Sequence, residues 1–205
     1  YKNLVKSVNT ALPLLHDYMA TKKKELGLDE FHMYDVYVPS VENAELELEY
    51  DDAYALVIKG LSVLGEEYGK LLKKAHDERW ISVYETEGKR SGAYSAGVFD
   101  THPYVLLNYQ KTTNEVFTIA HEMGHSMHTY FSNKTQPYAK ADYKIFVAEV
   151  ASTVNESLLV KYLLKNEKDP HMRKYLLSYL MEMIRTTLFR QTQFAEFEEY
   201  SHASV

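Results

Sequence analysis

The 205-residue chain contains no cysteine, which excludes a disulfide framework and any thiolate site within it, and fits a reducing, cytoplasmic setting. It has no apolar run of about eighteen residues, the length a helix needs to cross a bilayer. It has no excess of positive charge either. The formal net charge is -6, which gives no reason to expect nucleic acid or an anionic membrane surface as a partner. No internal repeat, low-complexity tract or clear linker divides it. What remains is 45% hydrophobic, enough to bury a sizeable core in a soluble globular chain that is large for one domain or small for two. Because the chain opens on Tyr1 rather than methionine, the lack of a signal peptide carries no weight.

The stretch that organises the rest runs from Thr112 to Asn133, T-T-N-E-V-F-T-I-A-H-E-M-G-H-S-M-H-T-Y-F-S-N. Val116, Phe117, Ile119, Ala120, Met123 and Met127 predict a buried helix, and Thr112 with Glu115 predicts a capping box at its start. Within it lies an H-E-x-x-H motif. Residues four apart share a helix face, so His121 and His125 can direct ring nitrogens at one ion, a spacing that suits zinc. Glu122 lies about 100° round the helix, off the metal but within reach of a water on it, which places it as a general base. The competing reading is a pair of satisfied core histidines, but a buried helix with two histidines and a carboxylate leaves polar groups without partners unless they bind something.

A catalytic zinc usually takes three protein ligands. His128 lies near the same face, but three histidines at i, i+4 and i+7 spread over about 10 Å. It therefore supports the site, faces substrate, or is a surface histidine. The longer metzincin pattern needs Gly at position 128 and His at position 131, where this chain has His128 and Phe131. A better third ligand lies further on. Tyr138 to Leu164 predicts a helix with Phe146, Val147, Val150, Val154, Leu158 and Val160 as its apolar series. Glu149 and Glu156, two turns apart on one face, interrupt it. The face neighbours of Glu149 are Ile145, Phe146, Ser152 and Thr153, which predicts an inward carboxylate in need of a partner such as a metal. Glu156 is read as a hydrogen-bonding group behind the ligands. Glu115, Glu167 and Glu182 read as solvated acids.

Elsewhere the pattern predicts a helix over Tyr1 to Leu26, kinked or restarted at Pro13 and stopped by Gly27. A short strand is predicted over Phe31 to Val38, and an acidic, solvated loop over Ser40 to Glu49. Asp51 and Asp52 cap a helix predicted to reach Ala75 through Gly60, Gly65 and Gly69, whose lack of a side chain suits close packing. Trp80 to Thr86 reads as a strand, and Ala93 to Phe99 with Tyr104 to Tyr109 as a hairpin, with His102 in its turn. Asp169-Pro170 starts a last helix to about Tyr200, with Leu176, Leu177, Leu180, Met183, Ile184, Leu188 and Phe189 apolar. Most of the eighteen tyrosines are expected to pack with their hydroxyls at the surface. The fold class is mainly α with a small β-sheet.

H-E-M-G-H-S-M-H followed by F-V-A-E-V-A-S-T-V-N-E resembles the zinc peptidases of the thimet oligopeptidase and oligoendopeptidase F family, with the wording nearest oligoendopeptidase F. The segment from Lys89 to Tyr109 resembles it as well, and Asp29 to Pro39 more weakly. The resemblance implies a zincin-type catalytic region in which His121, His125 and Glu149 hold Zn2+ and Glu122 is the catalytic base. It also implies that Gly92, Ala93, Tyr94 and Ser95 belong to an edge strand that holds the substrate backbone by strand addition; a purely structural hairpin is the alternative. The implied reaction is hydrolysis of peptide bonds in oligopeptides, not folded proteins, through a zinc-activated water. The family carries a later His and Tyr pair that stabilises the oxyanion, and S-H-A-S-V after Tyr200 offers no match. Residues 1–205 are therefore expected to be part of one catalytic domain whose C-terminal portion is absent. Two rival functions stand beside the peptidase: a zinc-binding but inactive fragment, and a non-enzymatic helical module that binds peptides.

Overall fold

The computed structural model describes residues 1–42 and 44–204; Asn43 of the predicted acidic loop and Val205 lie outside the described residues. Among them the helices are α1 (Lys2–Thr10), α2 (Leu12–Glu25), α3 (Tyr50–Gly60), α4 (Glu66–Asp77), α5 (Thr113–Thr135), α6 (Tyr138–Ala141), α7 (Ile145–Asn166), α8 (Pro170–Ile184) and α9 (Arg190–Ala203). The strands are β1 (Ile81–Ser82), β2 (Tyr94–Ala96) and β3 (Tyr104–Leu106). The chain divides into two compact units, one of Tyr1–Ala44 with Lys168–Val205 and one of Glu45–Glu167.

In the second unit α5 is the axis. Its predicted apolar positions, Val116, Phe117, Ile119, Ala120, Met123 and Met127, are all buried. Thr112 takes the N-cap position with an extended backbone, but its hydroxyl makes no capping bond. The capping box is not formed, because the Glu115 carboxylate accepts from the backbone N–H of Gln110 instead. α7 packs along α5, and Gly124 sets how closely: a Cβ there would lie 2.6 Å from Ser152 Cα and 2.8 Å from the Ala151 carbonyl oxygen. Asn155 ties the same helices together from a buried position, its amide donating to the Ala120 carbonyl at 2.9 Å and bonding to the Tyr68 hydroxyl of α4.

Two helical expectations fail here. The stretch 138–164 is not one helix; it breaks between α6 and α7, where Asp142 and Lys144 are extended. The face that α7 buries is Ser152, Asn155, Leu159, Val160 and Leu163, whereas Ile145, Phe146, Val150 and Val154 are exposed. Nor is 51–75 one helix. Glu49 takes the N-cap position of α3 without a side-chain capping bond, a 3-10 turn spans Ser62–Leu64, and Gly65 at φ 97 resets the chain before α4. Of the three glycines predicted to allow close packing, Gly60 does so, its missing Cβ falling 2.6 Å from Leu159 Cδ1, while nothing approaches the place of a Cβ on Gly69.

The predicted hairpin forms with antiparallel pairing of β2 and β3, Ser95 opposite Val105. β1 pairs parallel to β3, giving the order β1-β3-β2. The strand predicted over Trp80 to Thr86 shrinks to β1; among the described residues β2 ends the strand order and is an edge strand.

The other unit is helical. α1 and α2 meet at Ala11, Pro13 sits in the first turn of α2, and Gly27 at φ 66 ends it, as predicted. The strand predicted over Phe31 to Val38 is absent. Asp35 accepts the His32 N–H at 2.7 Å and closes a turn, which leads into a 3-10 segment over Asp35–Tyr37; the local hydrogen bond wins over alternation. α8 starts at Asp169, whose carboxylate accepts the Met172 N–H at 3.0 Å, and a π-helical segment, Arg185–Phe189, joins α8 to α9. Of its predicted apolar series Leu176 is buried while Leu177 and Leu188 are exposed. Glu182 is not a solvated acid: Tyr18, Lys22 and Arg185 converge on it at 2.7, 3.3 and 2.7 Å. No helix among the described residues is long and apolar enough to cross a membrane.

Candidate metal centre and active site

Close packing of α5 on α7 brings three predicted ligands together. His121 and His125 come from the middle of α5, and Glu149 from the second turn of α7. The two imidazole Nε2 atoms are 3.1 Å apart, and Glu149 Oε2 lies 3.4 Å from that of His121 and 3.6 Å from that of His125. The edge of a tetrahedron around a zinc ion, with bonds of about 2.0–2.1 Å, is about 3.4 Å. His121 Nδ1 lies 3.2 Å from Glu156 Oε1. An ionised carboxylate there requires a proton on Nδ1, which leaves Nε2 as the lone-pair nitrogen. His125 is hydrogen-bonded to the backbone of Ala148. Glu149 differs from expectation in one respect. Its side chain is 56% exposed, and its neighbours Ile145 and Phe146 are exposed too, so it reaches the histidines from the rim rather than from a buried face. Ser152 Oγ donates to the same Oε2 at 3.0 Å.

Glu122 is 6% exposed, and its Oε2 is buried without a hydrogen-bond partner. Burial pushes its pKa up to about 7, with Glu149 and Glu156 adding to the rise while His121 and a backbone hydrogen bond from Ser95 oppose it. For His121, burial favours the neutral ring, but the Glu156 hydrogen bond and the surrounding carboxylates outweigh it and raise the pKa. Burial and the neighbouring His121 lower that of His125. His128 is not part of the cluster; its ring packs 4.1 Å from that of Tyr143. His102 stacks on Trp80 at 4.8 Å, in the turn where the sequence put it. Tyr94 and Ser95 lie on β2. Gly92 and Ala93, just before it, line a cleft of about 360 Å³ together with Asn108, Glu115 and Thr118.

The profile of peptidase family M3 matches residues 1–205. The chain belongs to peptidase family M3. It is similar to oligopeptidase PepF of Bacillus subtilis, 52% identical over 205 residues that make up 100% of this M3 chain and 31% of that protein. A solved structure from Chlamydophila abortus, 44% identical, superimposes with a TM-score of 0.89 over 100% of this chain and 34% of the other. Oligoendopeptidase F from Enterococcus faecium, 34% identical, superimposes with a TM-score of 0.64 over 99% of this chain and 28% of its own. The M3 chain thus spans about a third of the length of the curated relatives it matches.

Reading the M3 sequence alone missed three residues that build the site. Gly124 sets the approach of α7, Asn155 bridges three helices, and Ser126, fully buried, bonds to Ser95 at 2.8 Å. A glycine inside a buried helix costs about 1 kcal/mol against alanine, which is itself a signal of a close approach. Ser126 and Asn155 give no such signal, because their partners are set by tertiary packing.

Proposed function

We propose that this M3 chain carries the catalytic site of a zinc-dependent endopeptidase that hydrolyses oligopeptides, with His121, His125 and Glu149 holding zinc and Glu122 as general base. The observation that carries the reading is the near-equilateral triangle of donor atoms, 3.1, 3.4 and 3.6 Å on its sides, next to a buried carboxylate with one unpaired oxygen. Two imidazole nitrogens and a carboxylate oxygen are a zinc donor set, and an unpaired buried acceptor is a costly feature unless a donor arrives to meet it. When bound, zinc supplies a Lewis acid that lowers the pKa of water and polarises a carbonyl. Glu122 takes the proton of the attacking water and passes it to the leaving amide nitrogen. Glu156 holds the proton on His121 Nδ1 and so fixes the tautomer that leaves Nε2 free. The substrate backbone is held by Gly92 and Ala93 and, along the edge of β2, by Tyr94 and Ser95; among the described residues β2 has β3 on one side only. The names of the similar proteins, oligopeptidase and oligoendopeptidase, support short peptides as the substrate class.

A second reading, a zinc site without turnover in this chain alone, is favoured by one fact: the chain spans about a third of those relatives. Metal analysis after purification without added metal, on the chain and on His125→Ala and Glu149→Ala, tests the ligand set. About one zinc per chain is expected, lost in both variants. Cleavage of a quenched oligopeptide is expected to fall about 10²- to 10⁴-fold in Glu122→Gln with zinc retained. No zinc, or zinc indifferent to Glu149→Ala, overturns the ligand set, and zinc without cleavage selects the second reading.

A further inference from the structure

α5 carries two stripes. His121 and His125 meet Glu149 of α7, while Glu122, Ser126 and Thr129, at i, i+4 and i+7, form a neighbouring stripe on the side of β2. Ser126 has no exposed surface, and its hydroxyl is 2.8 Å from that of Ser95, the middle residue of β2. The other hydroxyl residues of this helix fall into two groups, of which Thr129 and Ser132 also bond outward, to the Tyr143 hydroxyl and the Ala141 carbonyl. Thr118 and Thr135 bond to carbonyls four residues back, the local habit of such side chains in helices. Ser126 turns its hydroxyl out to the strand instead. Two residues beyond Ser95, Gly97 lies so close to the helix that a methyl group there would collide with the Thr129 side chain. Ser95 also donates its backbone N–H to Glu122, so this segment is held to α5 at three points, while among the described residues the ladder of β2 runs to β3 on one side only.

We infer that Ser126 is a positioning residue for substrate: it fixes the register of the free edge of β2 against α5, so that a peptide added to that edge is presented in line with Glu122, one turn earlier on the same stripe. The inference rests on the proposed peptidase function and names what sets its substrate alignment. A strand of three residues has little ladder of its own to resist sliding. A slip of one residue moves a bound peptide by about 3.3 Å and exchanges the faces of its side chains. A shift of about 1 Å is already enough to spoil a reacting geometry.

The test uses the zinc-loaded full chain and a labelled oligopeptide whose central amide is replaced by a reduced CH2–NH link, so that binding is read without turnover. Ser126→Ala, Ser95→Ala and the double variant are compared, with zinc content measured in parallel. Ser95→Ala changes a less buried side chain and keeps the test informative if Ser126→Ala folds poorly. Each single change is expected to weaken peptide binding about fivefold, the size of one hydrogen bond. The double is expected to cost no more than either single, with zinc content unchanged in all. A merely structural serine would not produce that non-additive loss confined to peptide affinity. Unchanged affinity in both singles, or additive losses, overturns the inference while leaving the peptidase reading standing. A wild-type chain that holds zinc but no peptide also overturns the inference without touching the metal site. A chain that holds neither removes the peptidase reading, and the inference with it.

Discussion

At the scale of a single residue, Glu122 holds an opposition that can be measured. Its carboxyl is buried with one oxygen unpaired, and its pKa in the metal-free fold is about 7, against 4.5 for the ordinary group. The folded chain therefore holds this proton more tightly than the unfolded chain does. The stabilisation that results is fully present below the unfolded value of 4.5 and is lost as pH rises through about 7. Above that window an ionised carboxylate must sit in a site that disfavours it. Glutamine keeps the shape and has no charge to bury. Glu122→Gln is therefore expected to stabilise the metal-free chain at pH 8 by about 3 kcal/mol relative to wild type, with the advantage shrinking towards zero at pH 4.5. Urea denaturation of both proteins in the presence of a chelator, at the two pH values, measures it. The same offset at both would mean that the Glu122 carboxylate ionises in the fold much as it does in water.

At the scale of elements, the site depends on how closely α7 lies on α5, and Gly124 decides that. Alanine is the better helix former by about 1 kcal/mol, so helix propensity alone predicts that Gly124→Ala stabilises. Packing predicts the opposite. The added Cβ would fall 2.6 Å from a backbone atom of Ser152 and 2.8 Å from the Ala151 carbonyl oxygen, and backbone cannot move aside as a side-chain tip can. The variant is expected to lose about 2 kcal/mol of stability and to bind zinc at least tenfold more weakly, since Glu149 withdraws with α7. Denaturation and zinc titration read the two effects, and a Gly124→Ala chain with unimpaired stability and zinc affinity would show that the helices can part without cost. The same pair of helices shows what the sequence reveals and what it hides. α5 was legible because its apolar positions are buried all round and repeat at helical spacing, and the spacing of His121 and His125 is a local property of one helix. Glu149 does lie beside the two histidines, but not for the reason the sequence offered: Ile145 and Phe146 suggested a buried face, and they are exposed. The false strand at Phe31 to Val38 came from alternation that a single Asp35 hydrogen bond overrides. The false helix through Gly65 came from treating three glycines alike, when only Gly65 takes a φ of 97 and breaks the chain while Gly60 and Gly69 stay helical. Each miss has its cause in a conformation or a partner that composition does not encode.

At the scale of the whole molecule, the two units are built from different kinds of sequence. One is assembled from both ends of the chain, whereas Glu45–Glu167 is a single uninterrupted segment. That segment contains all three predicted ligands, Glu122, Glu156, the sheet, Gly124 and Asn155. It also has large buried side chains of its own in Tyr54, Leu72, Phe117, Ile119, Met123 and Leu159. A contiguous segment with its own core and its own ligands is the arrangement in which metal binding and folding are coupled locally. Residues 45–167 expressed alone are therefore expected to fold and to take up about one zinc. At a free zinc concentration about a hundred times the dissociation constant, binding to the folded state should add about 2.7 kcal/mol. For a unit of this size that corresponds to a rise in melting temperature of roughly 10 °C, reversed by a chelator. His125→Ala in the same fragment should remove the zinc response while leaving the metal-free melting temperature within a few degrees, because His125, a proposed ligand, lies at the edge of the core rather than in it. A fragment that melts without cooperativity, with or without zinc, would mean that the core of residues 45–167 is not sufficient to hold the site and that the remaining segments contribute directly to its stability.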